Sequence, residues 1–284
     1  CSALNDFSNG MQPLPYPVCF LGAEMKRVGL ALGGGGARGL CMIEFCKALD
    51  ELGVKPDIIS GTSIGAIIGA FYAAGFSGRE MEKRLSDLSL LKIPRLVDFK
   101  LFSASALIKG RRISAFFRST LGCDSFADLM IPLIISATDY WNRSQVVFDQ
   151  GPLIPAIRAS MSLPVIFEPV EYKSTLLIDG GISNPLPHDL IRDKCDYLIA
   201  IDVCGKVRSH SRHNPRMFDS IMNTFETMQC SIVAEKLNKS RVECYVQPVL
   251  ENVGILDFYR EKEIRKSVQQ DVIDFERKLR AELF

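Results

Sequence analysis

The sequence lacks an excess of charge of either sign: 34 lysines and arginines stand against 33 aspartates and glutamates in 284 residues. No global field therefore draws the chain to nucleic acid or to an anionic membrane, so any lipid contact has to be local. No apolar run approaches the ~20 residues that span a bilayer. The longest, Ile64 to Phe76, reads as a buried helix, and no cationic leader precedes an apolar stretch. The nine cysteines contain no C-x-x-C pair. Their odd count, and thiols inside apolar runs such as Gly39-Leu40-Cys41-Met42-Ile43, speak against a disulfide framework or a zinc site. Buried free thiols favour a cytoplasmic location, with any membrane attachment peripheral. A calcium loop of alternating carboxylates is also missing, so neither a metal nor a cofactor is expected. Histidine is scarce: His188, His210 and His213 are the whole supply of imidazole bases.

What is present is ample material for a core, at 47% hydrophobic residues. Residues 1–24 form a thin, unpatterned stretch, expected to be a poorly ordered or non-native N-terminal extension. Cys1 stands where an initiator methionine would, which leaves lipidation at Cys1 open. Residues 25–284 read as one domain. Val28-Gly29-Leu30-Ala31-Leu32 is a buried strand ending in glycines, followed by a helical pattern from Arg38 to Leu52. Asp57 to Ser60 is a second strand and Ile64 to Ala74 a small-residue helix, and Ser77-Gly78-Arg79-Glu80 is a capping box. Further strands are expected at 131–137, 145–148, 176–178 and 197–203, with helices at 110–121 and 155–161. Asn214-Pro215 opens another helix. Ile264, Val268, Val272, Phe275, Leu279 and Leu283 step by three or four along a C-terminal amphipathic helix, 257–284, whose apolar face is a packing face. Alternating strands and helices imply a three-layer α/β/α sandwich on a mostly parallel sheet.

Two strand-to-helix turns carry chemistry. In Gly33-Gly34-Gly35-Gly36-Ala37-Arg38-Gly39, consecutive glycines let several backbone N–H groups converge beside a helix N-terminus, which suits a phosphate or a developing oxyanion. Dinucleotide binding would need an acidic residue at the end of the second strand, but that strand ends in Ser60-Gly61-Thr62. A triphosphate loop would need Gly-Lys-Ser/Thr, and Gly39-Leu40-Cys41 does not supply it. The oxyanion reading remains. The second turn, Gly61-Thr62-Ser63-Ile64-Gly65, is a G-x-S-x-G elbow that lifts a serine hydroxyl above the sheet. Both turns lie at the carboxyl ends of strands joined by one helix, so their tips should share one edge of the sheet. For a base, none of the three histidines looks placed, whereas Asp179 ends the apolar run Leu176-Leu177-Ile178 and precedes Gly180-Gly181. A tight turn there aims and partly desolvates a carboxylate, which raises its basicity.

These three segments, in this order, resemble the patatin-like phospholipases. Leu107-Ile108-Lys109-Gly110, Ala159-Ser160-Met161-Ser162-Leu163-Pro164, Asn184-Pro185-Leu186-Pro187 and Ile255-Leu256-Asp257-Phe258 add to the likeness, which runs from about residue 27 to 260. The resemblance implies a metal-independent hydrolase of fatty-acyl esters, (lyso)phospholipids first among them, working in lipid catabolism at a membrane or micelle surface. Ser63 would be the nucleophile and Asp179 its base, a dyad without histidine. Gly34, Gly35 and Gly36, assisted by Arg38, would form the oxyanion hole, with Gly39, Gly61, Gly65, Gly180 and Gly181 as motif glycines. Two alternatives stay open. One is an α/β-hydrolase esterase with a Ser–Asp–His triad built on His188, although only two strands precede Ser63. The other is a non-catalytic lipid-binding domain, which would have no need of both Ser63 and Asp179.

Overall fold

The computed structural model describes residues 26–85, 110–204 and 217–284. The extension 1–24, the Asn214-Pro215 cap, His210 and His213 lie outside the described residues, as does most of the Leu107–Gly110 match. The strands are β1 (Val28–Leu32), β2 (Ile58–Thr62), β3 (Leu133–Asp139), β4 (Ser144–Phe148), β5 (Val170–Tyr172), β6 (Thr175–Asp179), β7 (Tyr197–Ile201) and β8 (Cys244–Val246). The helices are α1 (Met42–Leu52), α2 (Ile64–Ala73), α3 (Gly78–Leu85), α4 (Gly110–Leu121), α5 (Leu153–Ser160), α6 (Met217–Lys239), α7 (Glu261–Ser267) and α8 (Gln269–Leu283).

Strand residues divide between two cores by parity. Leu30 and Leu32 join one and Ala31 the other; Ile59 and Ile58, Ile135 and Ile134, and Ile199 and Leu198 split the same way. Successive side chains point to opposite faces of a sheet, so both faces are covered and the strands read as unbroken apolar runs. The larger core takes in α1, α2, α5 and α8, and the smaller takes in Val233 of α6 with the turns around Leu186 and Ile191. The result is a three-layer α/β/α sandwich. None of the described helices is long and apolar enough to cross a membrane.

The sheet is mixed. Strands β8, β7, β1, β2 and β3 run parallel, while β4 and β6 pair antiparallel with β3 and β5 pairs antiparallel with β6. Strand β5 escapes the sequence pattern because its hairpin turns through Lys173-Ser174, both at positive φ (48° and 64°). A two-residue turn of that shape normally announces itself with Asn-Gly or Asp-Gly. The C-terminal segment also differs from expectation. The chain breaks at Val268 into α7 and α8, while Ile264, Val268, Phe275 and Leu279 stay buried on one continuous apolar face.

One detail of the pairing positions the site. β4 occupies one edge of β3 from Ile135 to Asp139. A strand has only two edges, so β2 and β6 share the other: Ser136 pairs with Thr62, and the next residue, Ala137, pairs with Asp179. The end of β2 and the end of β6 therefore meet head to head.

Candidate active site

Ser63 follows Thr62 directly, so that meeting brings it against Asp179. Its hydroxyl donates a 2.7 Å hydrogen bond to Asp179 Oδ2. The serine backbone sits at φ 55°, ψ −120°, a strained conformation for a residue with a Cβ. Gly65 makes the sharp turn possible: a Cβ there would lie 2.2 Å from the carbonyl oxygen of Leu32. Helix α2 can thus begin against the end of β1, which places the glycine turn beside the serine. A Cβ on Gly34 would come within 3.4 Å of the Ser63 Cβ. Both turns share one sheet edge, as their spacing implies.

Asp179 is almost wholly buried. Burial pushes its carboxyl up to about 6, against hydrogen bonds from Ser63 and the Gly181 N–H that pull it down. The Gly181 N–H donates to Oδ1 at 2.7 Å, which leaves Oδ2 for the serine. Ser160 is a member of the site that spacing did not single out as a functional residue. Its Oγ accepts the Ser63 N–H at 2.8 Å and donates to the Ser136 carbonyl at 2.6 Å, tying the elbow to α5 and β3. It lies inside the Ala159–Pro164 segment noted above, where a small hydroxyl at the end of an apolar helix was the available signal.

The glycine turn is fixed by three backbone bonds, from Gly33 N–H to Ile201, Gly34 N–H to Pro185 and Ala37 N–H to Ile255. Gly34 is therefore already committed, which removes it from the expected oxyanion set. The N–H groups of Gly35 and Gly36 have no acceptor among the described residues, and both glycines line the cleft beside Ser63. Gly36 adopts φ +58°, and a Cβ there would strike the Ile255 carbonyl at 2.2 Å. Arg38 is a second correction. Its side chain is buried in an ion pair with Glu226 of α6, its Nη1 lies 3.5 Å from the Cys204 carbonyl, and it does not line the cleft. The guanidinium holds the glycine turn to α6 instead of facing the serine.

His188 is no partner to Ser63. It is fully buried in the smaller layer, with Nδ1 2.9 Å from the Leu186 carbonyl. The cleft itself is walled by Ile67, Met161, Leu163, Phe167, Ile255 and Phe258. Among the described residues, no three His, Cys, Asp or Glu side chains converge as metal ligands would. The seven described cysteines are free, and five of them are buried.

The α/β/α sandwich thus sets an elbow serine directly on a carboxylate, next to a glycine-rich turn. The family model for the patatin-like phospholipases matches residues 30–191, more than half of the chain. An NTE family protein of Mycobacterium tuberculosis is 36% identical over 201 residues, covering 70% of this chain and 55% of that protein. The chain belongs to the patatin-like phospholipase family. It is also similar to the lysophospholipase NTE1 of Candida glabrata, at 27% identity over 85% of this chain and 15% of that protein. The crystal structure of VipD from Legionella pneumophila superimposes with a TM-score of 0.57 at 14% identity, covering 89% of this chain and 68% of that one, a likeness of fold. The chain spans about half the length of the mycobacterial relative it matches.

Proposed function

We propose that residues 25–284 form one catalytic unit that hydrolyses fatty-acyl esters of lysophospholipids or phospholipids through Ser63 and Asp179. The observation that carries this reading is the 2.7 Å bond from the Ser63 hydroxyl to a buried carboxylate. Asp179 Oδ2 takes the serine proton as Oγ attacks the acyl carbonyl. The oxygen of the tetrahedral intermediate is stabilised by the N–H groups of Gly35 and Gly36, which have no acceptor among the described residues. The proton then passes from Asp179 to the leaving alcohol. Water, deprotonated by the same carboxylate, releases the fatty acid from the acyl-serine.

The apolar wall of the cleft supports an acyl chain as the bound group, since such surface gains most from hydrocarbon. The lysophospholipase named among the relatives supports a phospholipid or lysophospholipid headgroup. With near-balanced charge, the enzyme would meet its lipid at a membrane or micelle surface by local apolar contact, from the cytoplasmic side. The test is labelling with a fluorophosphonate, followed by hydrolysis assays on a lipid panel. The parent protein should be labelled stoichiometrically at Ser63 and release fatty acid, and Ser63→Ala should do neither. Undiminished turnover by a folded Ser63→Ala protein would remove the assignment.

A further inference from the structure

Gln229 is out of place on its helix. The inward face of α6 carries Met222 and Val233, and Gln229 occupies the same buried face at 3% exposure. A buried carboxamide has to be hydrogen-bonded to be tolerated, so its partners show what it serves. Its Nε2 donates to the Gly181 carbonyl at 3.1 Å. Gly181 has no side chain to block that approach; a Cβ there would lie 2.2 Å from Gln229 Nε2. The N–H of the same glycine holds Asp179 Oδ1. On the other side, Gln229 Oε1 lies 3.7 Å from the Cys204 thiol, which sits 3.2 Å from the Gly34 carbonyl of the glycine turn. Gln229 also borders the cleft, beside Ser63 and Asp179.

We infer that Gln229 is a positioning residue for the Ser63–Asp179 pair: it pins Gly181, so that the Gly181 N–H holds one carboxylate oxygen and turns the other to the serine. The inference rests on the dyad reading above. It makes α6 part of the site's geometry, not only a cover for the smaller core. A bond from Gly181 N–H to Oδ1 favours the ionised carboxylate. If Gly181 drifts, that bond weakens, Oδ2 loses its aim, and the base titrates at higher pH. The apolar wall that binds the acyl chain is left in place. A glutamine that merely fills space in α6 predicts none of this pattern.

The experiment measures kcat and KM for a soluble p-nitrophenyl ester from about pH 5 to 9, in the parent, Gln229→Met and Gln229→Glu. Methionine matches the length of glutamine without its donor. Glutamate matches its shape but sets a negative charge near Asp179. In Gln229→Met we expect kcat to fall roughly ten- to a hundredfold, KM to stay within about threefold, and the acid limb to rise by about half a pH unit or more. In Gln229→Glu the limb should rise further. A folded Gln229→Met protein whose acid limb coincides with the parent's overturns the inference, whether or not kcat has dropped. If circular dichroism shows that Gln229→Met does not fold, Gln229→Leu, likewise uncharged and without the donor, decides by the same criterion, and Gln229→Glu serves only to show that the acid limb reports Asp179. Ser63→Ala and Asp179→Asn run alongside: turnover by either defeats the dyad itself, whereas inactivity of both with an unmoved limb in the uncharged Gln229 variants defeats only the role of Gln229.

Discussion

Asp179, the base proposed for Ser63, carries conflicting demands: that role needs an ionised carboxylate, while this carboxyl lies almost entirely out of water. The conflict has a measurable consequence for stability. With its carboxyl pushed from 3.8 up to about 6, the folded protein holds a proton that the unfolded chain has released across that interval. Stability from this group therefore falls as pH rises from 3.8 to about 6, and the full penalty remains at higher pH. The two-unit displacement is worth at most about 3 kcal/mol. Asp179→Asn, which removes the buried charge, should thus be more stable than the parent at about pH 8 by roughly 1–3 kcal/mol, and lose that advantage near pH 4. Urea denaturation at the two pH values checks it; equal stability at the higher pH would mean that the carboxylate is not desolvated. Ser63 and Asp179, the proposed dyad, stand out in the sequence because each sits in a glycine-flanked turn after an apolar strand. Gln229 does not, although a glutamine in step with Met222 and Val233 is a visible irregularity. Its purpose depends on Gly181, 48 residues away in the chain. Arg38 misled because its proximity in sequence to the glycines said nothing of Glu226, which α6 brings to it from 188 residues away.

Among the elements, the two strand-to-helix turns were legible because glycine spacing records close backbone approach directly. The capping box was equally plain: Ser77 Oγ accepts from the Glu80 N–H, and the Glu80 carboxylate accepts from the Ser77 N–H. The pairing of β6 onto the free part of β3's edge was hidden, since register between distant strands is a tertiary choice. The break at Val268 was hidden too, because the apolar period runs through it. What fixes the C-terminal helices against the body is partly ionic. Arg265 of α7, with a side chain only 11% exposed, contacts Glu44 of α1 and Glu261 at 2.7 Å each and pairs with Glu82 of α3. Removing a cation from partly buried carboxylates leaves them uncompensated. Arg265→Met should cost about 2–4 kcal/mol in urea denaturation at neutral pH, with little change in kcat, because none of these four side chains lines the cleft. A loss below about 0.5 kcal/mol would mean that solvent already screens these charges.

For the whole molecule, the alternation of strands and helices was enough to give the α/β/α architecture, and the parity of apolar residues on β1, β2, β3 and β7 explains why. The antiparallel edge was less accessible: β5 is three residues long and its turn carries no glycine. The architecture gives the site its economy. Glycine turn, elbow and carboxylate lie at one end of the sheet, held by β1, β2 and β6, with α6 fastening the first through Arg38 and the last through Gln229. His188 sits in the smaller layer, turned to the Leu186 carbonyl. Asp179, and not a histidine, is proposed as the base for Ser63. The most direct measurement is kcat/KM of Asp179→Asn and His188→Ala on the same soluble ester, each variant verified as folded. Asparagine keeps the turn and the size of aspartate but has no basic carboxylate. Asp179→Asn should lose roughly three or more orders of magnitude while His188→Ala stays within a few-fold of the parent. A folded His188→Ala protein as inactive as Ser63→Ala would contradict that assignment.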